Sequence, residues 1–64
     1  MTNLKFFREK LGLSQSQLAL KSGVSVRMIQ NYEQKTKNIN NAAAITVWKI
    51  SVVLGCKMED LIEK

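Results

Sequence analysis

Apolar residues recur every three or four positions along this chain, and four breaks divide them into five segments. The breaks are Gly12, Gly23, Gly55 and the polar stretch 34–41, and the chain contains no proline and no internal repeat. A period near 3.6 is typical of helices, and no run alternates apolar and polar residues as a strand does. The pattern therefore predicts an all-α fold of five helices, which at this length form one domain, residues 1–64.

Capping signatures mark where the second and third helices begin. Ser14 is followed by Gln17 at the capping-box spacing, and Ser25 is the natural N-cap of a third helix that is predicted to extend to Glu33. Apolar pairs at hydrophobic-staple spacing flank both caps, Leu13 with Leu18 and Val24 with Ile29. Because Gly23 can adopt the left-handed conformation that ends a helix, the two helices are predicted to form a helix-turn-helix.

Apolar stripes predict the other three helices. The first covers residues 3–11 with Thr2 or Asn3 as its cap, the fourth begins between residues 40 and 43 and ends at 54, and the fifth starts at Met58. Their inward-facing residues are, in order, Leu4, Phe7 and Leu11; Ala43, Val47, Ile50 and Leu54; and Met58, Leu61 and Ile62. The loop 34–41 offers no glycine for a positive φ, so its path is not predicted.

The fourth helix carries a second apolar stripe, which consists of Ile45, Trp48 and Val52. A larger core explains Trp48 taken alone, but it does not explain Ile45 and Val52 on a helix that already has one apolar face. We therefore expect the three residues to form a homodimer surface.

Positive charge is concentrated in the first three quarters of the chain. The net charge is +5, and residues 1–49 hold eight Lys or Arg against two acids, whereas residues 50–64 hold two against three. A basic domain of this kind favours a polyanionic partner, of which nucleic acid is the commonest.

Several classes of protein are excluded by composition. One cysteine, Cys56, and no histidine leave no disulfide framework and no zinc ligand set, so no metal and no cofactor is expected, and Cys56 is interpreted as a small buried residue. No nucleophile stands with a base and no phosphate loop is present, which argues against an enzyme. No membrane segment and no small-molecule effector site are evident, so we expect a cytoplasmic protein, associated with the nucleoid when bound to DNA.

Four stretches of the chain match one known pattern in a common register. They are LSQSQLA at 13–19, SGVSVRMI at 22–29, the pair Tyr32 and Glu33, and LGC with EDLI at 54–56 and 59–62. Together they resemble the Cro and phage-repressor type of helix-turn-helix regulators, the XRE-like family. The resemblance implies a compact five-helix bundle of the lambda-repressor type, in which the third helix lies in the major groove of double-stranded DNA. It also implies a homodimer on a palindromic operator.

The third helix then supplies the residues that contact bases. Arg27 has the paired donors that match guanine, and Gln30 and Asn31 have the donor and acceptor that match adenine. Val26 and Met28 can pack on a thymine methyl group. A solvated surface residue is the alternative for Arg27 and equally for Gln30, and Met28 could instead fill the core.

The resemblance places a second set of residues beside the DNA backbone. Gln15 lies at the start of the second helix, Ser25 at the start of the third, and a basic polar loop follows the third helix. The expected phosphate contacts are Gln15, Ser25, Tyr32, Lys35, Thr36, Lys37 and Asn38. By the same resemblance Arg8 and Glu33 form a structural ion pair.

Two functions from different classes follow. The first is a sequence-specific, DNA-binding transcription regulator, a repressor, that works as a dimer. The alternative is an antitoxin-like or other protein-interaction helical domain that binds a partner through the apolar face of its fourth helix. The first predicts salt-sensitive binding to DNA, and the second predicts little DNA affinity and a partner that co-purifies.

Overall fold

Four α-helices and two short 3-10 turns make up the structure, a computed structural model that describes residues 1–64. The helices are α1 (Asn3–Lys10), α2 (Gln15–Ser22), α3 (Val26–Glu33) and α4 (Ala44–Leu54), and the 3-10 turns cover Ile39–Asn41 and Met58–Leu61. There is no strand, which confirms the all-helical prediction. No helix has the length and apolar composition that crossing a membrane requires.

The predicted caps are present at the start of α1, α2 and α3. Thr2 Oγ1 accepts a hydrogen bond from the Lys5 amide at 3.2 Å, and Ser25 Oγ accepts one from the Met28 amide at 3.2 Å. At α2 the capping box is complete, since Ser14 Oγ accepts from the Gln17 amide and Gln17 Oε1 accepts from the Ser14 amide. These bonds satisfy backbone donors that a helix start leaves free.

Ten buried apolar residues from every helix and both 3-10 turns form one core. They are Leu4, Leu18, Val24, Ile29, Tyr32, Ile39, Val47, Ile50, Leu54 and Leu61. Helix α2 packs against both α3 and α4, and the turn Met58–Leu61 packs against α1 and α4. Two positions of the predicted stripes lie elsewhere, because Leu11 follows the end of α1 and is half exposed, and Ala43 is the exposed residue that precedes α4.

The prediction of five helices is wrong, since the fifth segment is only the four-residue 3-10 turn Met58–Leu61. Lys57 precedes this turn and has no side-chain acceptor for a helix start. The chain then becomes extended at Ile62, where tertiary hydrogen bonds hold it. Asn3 donates its amide N–H to Glu63 Oε2 at 2.7 Å and its side-chain Nδ2 to the Ile62 carbonyl at 2.9 Å. These bonds hold the extended end of the chain against α1.

The loop between α3 and α4 contains no glycine, and Lys35 takes the positive φ in it, at +64°. Further along, Ile39 inserts into the core and is 4% exposed. The side chain of Asn40 pairs with the backbone of Glu63, accepting the Glu63 amide and donating to its carbonyl. As a result α4 begins at Ala44, one residue beyond the predicted window of 40–43.

Candidate nucleic-acid interface

Helix α3 has one buried face and one exposed face. Ile29 and Tyr32 point into the core, with 0% and 6% of their surfaces exposed. Since a helix turns by about 100° per residue, Arg27 and Asn31 lie one turn apart near the centre of the opposite face. The flanks of this face hold Val26 and Gln30 on one side and Met28 on the other. Val26, Arg27 and Met28 are exposed, and Gln30 and Asn31 are partly exposed.

Met28 therefore does not fill the core, and Arg27 has no acidic partner. The five side chains expected to contact bases form one continuous surface, which we call the α3 face: Val26, Arg27, Met28, Gln30 and Asn31. The α3 face offers a guanidinium, two carboxamides and two apolar side chains, the chemical groups that match base edges in a major groove.

The loop after α3 folds back against the end of that helix. The Lys35 amide donates to the Tyr32 carbonyl at 3.3 Å, and the Lys37 amide donates to the Asn31 carbonyl at 3.2 Å. Thr36 Oγ1 lies 3.1 Å from the same Asn31 carbonyl oxygen. These bonds hold two exposed lysines, Lys35 and Lys37, close to the α3 face.

Glu33 joins three helices at one buried carboxylate. Arg8 of α1 donates from Nε to Glu33 Oε2 at 2.7 Å and from a terminal nitrogen to Oε1 at 2.9 Å, and a third nitrogen donates to the Leu13 carbonyl. Gln15 of α2 donates from Nε2 to Glu33 Oε1 at 3.1 Å. The side chains of Arg8 and Glu33 are 10% and 3% exposed. The last turn of α3 is thereby fixed to α1 and to the start of α2.

Both members of this pair remain charged. Burial by itself would raise the pKa of Glu33, but the hydrogen bonds from Arg8 and Gln15 outweigh it, and the pKa lies below its ordinary value. The hydrogen bond to Glu33 raises the pKa of Arg8. A two-pronged pair of this geometry orients the helices that it joins.

The seven residues expected beside DNA phosphates differ in exposure and in whether their hydrogen-bond donors are already used within the protein. Lys35, Lys37 and Asn38 are exposed, and Asn38 keeps its Nδ2 donor because only its Oδ1 is used, by the Asn40 amide. The exposed Ser25 accepts a bond as the α3 cap and keeps its own hydroxyl proton. Gln15 retains one N–H beyond the one given to Glu33, whereas Tyr32 is largely buried. The hydroxyl of Thr36 is engaged by Asn31.

A separate apolar surface lies on α4. Ile45, Trp48 and Val52 are 57%, 51% and 58% exposed, and the helical spacing places them within about 60° of one another. We call these three residues the α4 face. The alternative considered for Trp48 alone, that it enlarges the core, does not hold, because half of its surface is exposed and it is not among the core residues.

The acidic and thiol side chains are the groups from which a metal or thiol site would be built. No group of three or more His, Cys, Asp or Glu is placed to hold a metal ion. Cys56 is half-buried against the core, and burial raises the pKa of its thiol, so the reactive thiolate is disfavoured.

Helices α2 and α3, with their caps, the turn at Gly23 and an exposed α3 face, define a protein of the helix-turn-helix class. The sequence model of the family described as helix-turn-helix matches residues 4–61. The chain therefore belongs to the XRE, Cro/CI-type helix-turn-helix family, as its sequence predicted. No curated protein matches it.

Family membership establishes the general type of function. The chain is a DNA-binding protein of the transcription-regulator type, whose partner is double-stranded DNA. The family is regulatory and typically not enzymatic. The contacts of Gln15 with Glu33 and of Asn40 with Glu63 were not predictable from the sequence, because neither spacing has a local signature.

Proposed function

We propose that this protein is a sequence-specific repressor that binds an operator as a homodimer and inserts α3 into the major groove. The observation that carries the proposal is the α3 face, where Arg27 and Asn31 are one turn apart and opposite the core. Repression follows from occupancy, since a bound protein of 24 × 22 × 22 Å covers its site against other proteins. We expect cellular concentration to set that occupancy.

Each residue of the α3 face has a defined role in this proposal. Arg27 donates two hydrogen bonds to guanine O6 and N7, and Asn31 or Gln30 pairs with adenine N6 and N7. Val26 and Met28, with 36% and 37% of their surfaces exposed, contact thymine methyl groups. The buried Arg8–Glu33 pair holds α3 against α1 so that these groups approach the groove in a fixed orientation.

Phosphate contacts set the position of α3 along the duplex and make binding dependent on salt. Five exposed or partly exposed side chains have free donors for this role: Gln15, Ser25, Lys35, Lys37 and Asn38. The hydroxyl of the largely buried Tyr32 is the sixth proposed contact. The net charge of +5 adds a sequence-independent attraction to DNA.

A second copy of the chain is the proposed partner of the α4 face. Two copies related by a two-fold axis would cover each other's Ile45, Trp48 and Val52, which are uncharged and self-complementary in chemistry. The helix carries only one charged residue, Lys49, so little like-charge repulsion opposes its close approach to another α4. A symmetric dimer would present two α3 helices to the two halves of a palindromic operator.

Selection of binding sites from random double-stranded DNA tests the proposal. We expect enrichment of a palindrome whose half-sites are separated by about one helical turn. On the selected site, Arg27→Ala and Asn31→Ala should each weaken binding by about 1–3 kcal/mol at fixed salt. Lys57→Ala is the matched control, because Lys57 is an exposed cation outside α3 and directly precedes the turn Met58–Leu61, which packs on α1 and α4.

Two results would contradict the proposal. No enriched sequence would remove sequence-specific binding, and unchanged binding by both alanine variants would remove α3 from the groove. Low DNA affinity together with a stoichiometric protein partner on the α4 face would favour the protein-interaction function instead.

A further inference from the structure

The loop after α3 reaches the side chain of a base-contacting residue. Lys35 reverses the chain with its positive φ, and Thr36 returns alongside the last turns of the helix. Thr36 Oγ1 lies 3.1 Å from the Asn31 carbonyl oxygen and 3.1 Å from Asn31 Oδ1. The Lys37 amide donates to the same carbonyl, so the hydroxyl of Thr36 is held in place by the backbone on its C-terminal side.

This contact determines how the carboxamide of Asn31 is presented. An unrestrained Asn side chain rotates freely about its terminal torsion, and a half-turn exchanges its donor and its acceptor. Here Oδ1 faces Thr36, while Nδ2 has no hydrogen-bond partner within the chain. The donor is therefore directed away from the loop, and Oδ1 keeps a second lone pair.

Adenine requires a donor to its N7 and an acceptor for its N6, presented together in one orientation. A free carboxamide must lose rotational freedom when it binds, whereas one that is already held loses less. The single proton of the Thr36 hydroxyl is shared between two acceptors of Asn31, which leaves none to donate to a phosphate.

We propose that Thr36 is a positioning residue for Asn31 and thereby sets the base preference at the base pair that Asn31 contacts. This inference rests on the proposed function, and it replaces the role of Thr36 as a phosphate contact. It assigns part of the sequence specificity to a loop residue that contacts neither a DNA base nor a DNA phosphate.

A pair of substitutions at position 36 tests the inference. Thr36→Val keeps the shape and removes the hydroxyl, whereas Thr36→Ser keeps the hydroxyl. We expect Thr36→Val to weaken binding to the selected operator about two- to tenfold, the range for one hydrogen bond, and to leave binding to random DNA and the salt dependence unchanged. Thr36→Ser should bind as the unsubstituted protein does. In an Asn31→Ala background, Thr36→Val should cause no further loss.

A second measurement uses the free protein and does not depend on DNA. The order parameter of the Asn31 side-chain NH₂ group, measured by NMR relaxation, should fall in Thr36→Val and not in Thr36→Ser. Urea unfolding of each variant verifies that it is folded.

The possible failures are distinguishable. Equal weakening on operator and random DNA, with a smaller salt dependence, would show a phosphate contact and overturn the inference. So would a loss that persists in the Asn31→Ala background, or an unchanged order parameter. An unsubstituted protein without sequence preference overturns the proposed function as well, whereas a specific protein with a silent Thr36→Val overturns only the positioning role.

Discussion

At the scale of single residues, Glu33 connects three helices through side-chain hydrogen bonds. Its carboxylate receives Arg8 from α1 and Gln15 from α2, and Glu33 itself ends α3. The helix that is proposed to enter the groove is thus fixed at its far end, while its first turn remains exposed. Such a pair mainly specifies geometry, because two charges removed from water gain little net stability from each other.

Glu33→Gln should destabilise the protein, because it leaves the charge of Arg8 buried without a counter-charge. We expect a loss on the order of 3 kcal/mol in the free energy of unfolding at pH 7, measured by urea denaturation. Glu59→Gln is the control, since Glu59 is exposed and has no ion-pair partner. A loss below about 0.5 kcal/mol, the range for ordinary surface substitutions, would contradict the role of the pair.

Acid should reduce the difference in the free energy of unfolding between the unsubstituted protein and Glu33→Gln. The pKa of Glu33 is lowered in the folded state, so its contribution is fully present above the unfolded pKa of about 4.3 and is lost as the pH falls through the folded value. The stability advantage over Glu33→Gln should therefore shrink when urea denaturation is repeated near pH 3. A constant advantage would contradict the assignment of a charged Glu33.

At the scale of elements, sequence predicted what depends on neighbouring residues. Ser14 and Ser25 determine where α2 and α3 begin, and Gly23 determines where α2 ends, through bonds to residues within four positions. The prediction of a fifth helix was wrong because Ile62 and Glu63 bond to Asn3 and Asn40, which are distant in sequence. In the same way, the spacing of the α3 face was predictable from helical periodicity, but the contact between Thr36 and Asn31 depends on a loop conformation without a local signature.

The loop after α3 can be stabilised at the position where its conformation is least favourable. Lys35 has φ +64°, which costs a residue with a side chain about 1–2 kcal/mol, and glycine avoids most of that cost. Lys35→Gly should therefore raise the free energy of unfolding by up to about 1 kcal/mol, after the greater freedom of glycine in the unfolded chain is subtracted.

The adjacent residue supplies the control for this loop. Gln34 has φ −83°, so Gln34→Gly gains no relief of strain and should lower the stability by about 0.5–1 kcal/mol. In DNA binding, Lys35→Gly should reduce the slope of log affinity against log salt by about one, through loss of one phosphate contact. If Lys35→Gly is no more stable than Gln34→Gly, the positive φ is not a source of strain.

At the scale of the whole molecule, the net charge and the exposed apolar surface have opposite effects on the association of two copies. A net charge of +5 attracts DNA and makes two copies repel, whereas the α4 face favours association of copies. Because salt screens charge but not apolar contact, added salt should weaken binding to DNA and strengthen the dimer in solution. On the operator the phosphates neutralise the repulsion, so DNA and the second copy should bind cooperatively.

Val52→Glu should disrupt the dimer without unfolding the chain, because Val52 is 58% exposed and lies outside the core. By sedimentation equilibrium at tens of micromolar, a concentration chosen for the weak association of small interfaces, we expect a dimer for the unsubstituted protein and a monomer for Val52→Glu. Leu20→Glu is the matched control, since Leu20 is 86% exposed and lies on α2. Emission from Trp48, the one tryptophan, should shift to shorter wavelength as the dimer forms.

The same variants separate the dimer from the DNA contacts. Val52→Glu should keep its affinity for an isolated half-site and lose the additional affinity for the full operator, whereas Leu20→Glu should retain both. An unsubstituted protein that stays monomeric at this concentration and binds two half-sites independently would exclude the α4 face as the dimer surface. Loss of half-site binding in Val52→Glu would instead indicate that α4 supports the position of α3, since α2 packs on both helices and links them.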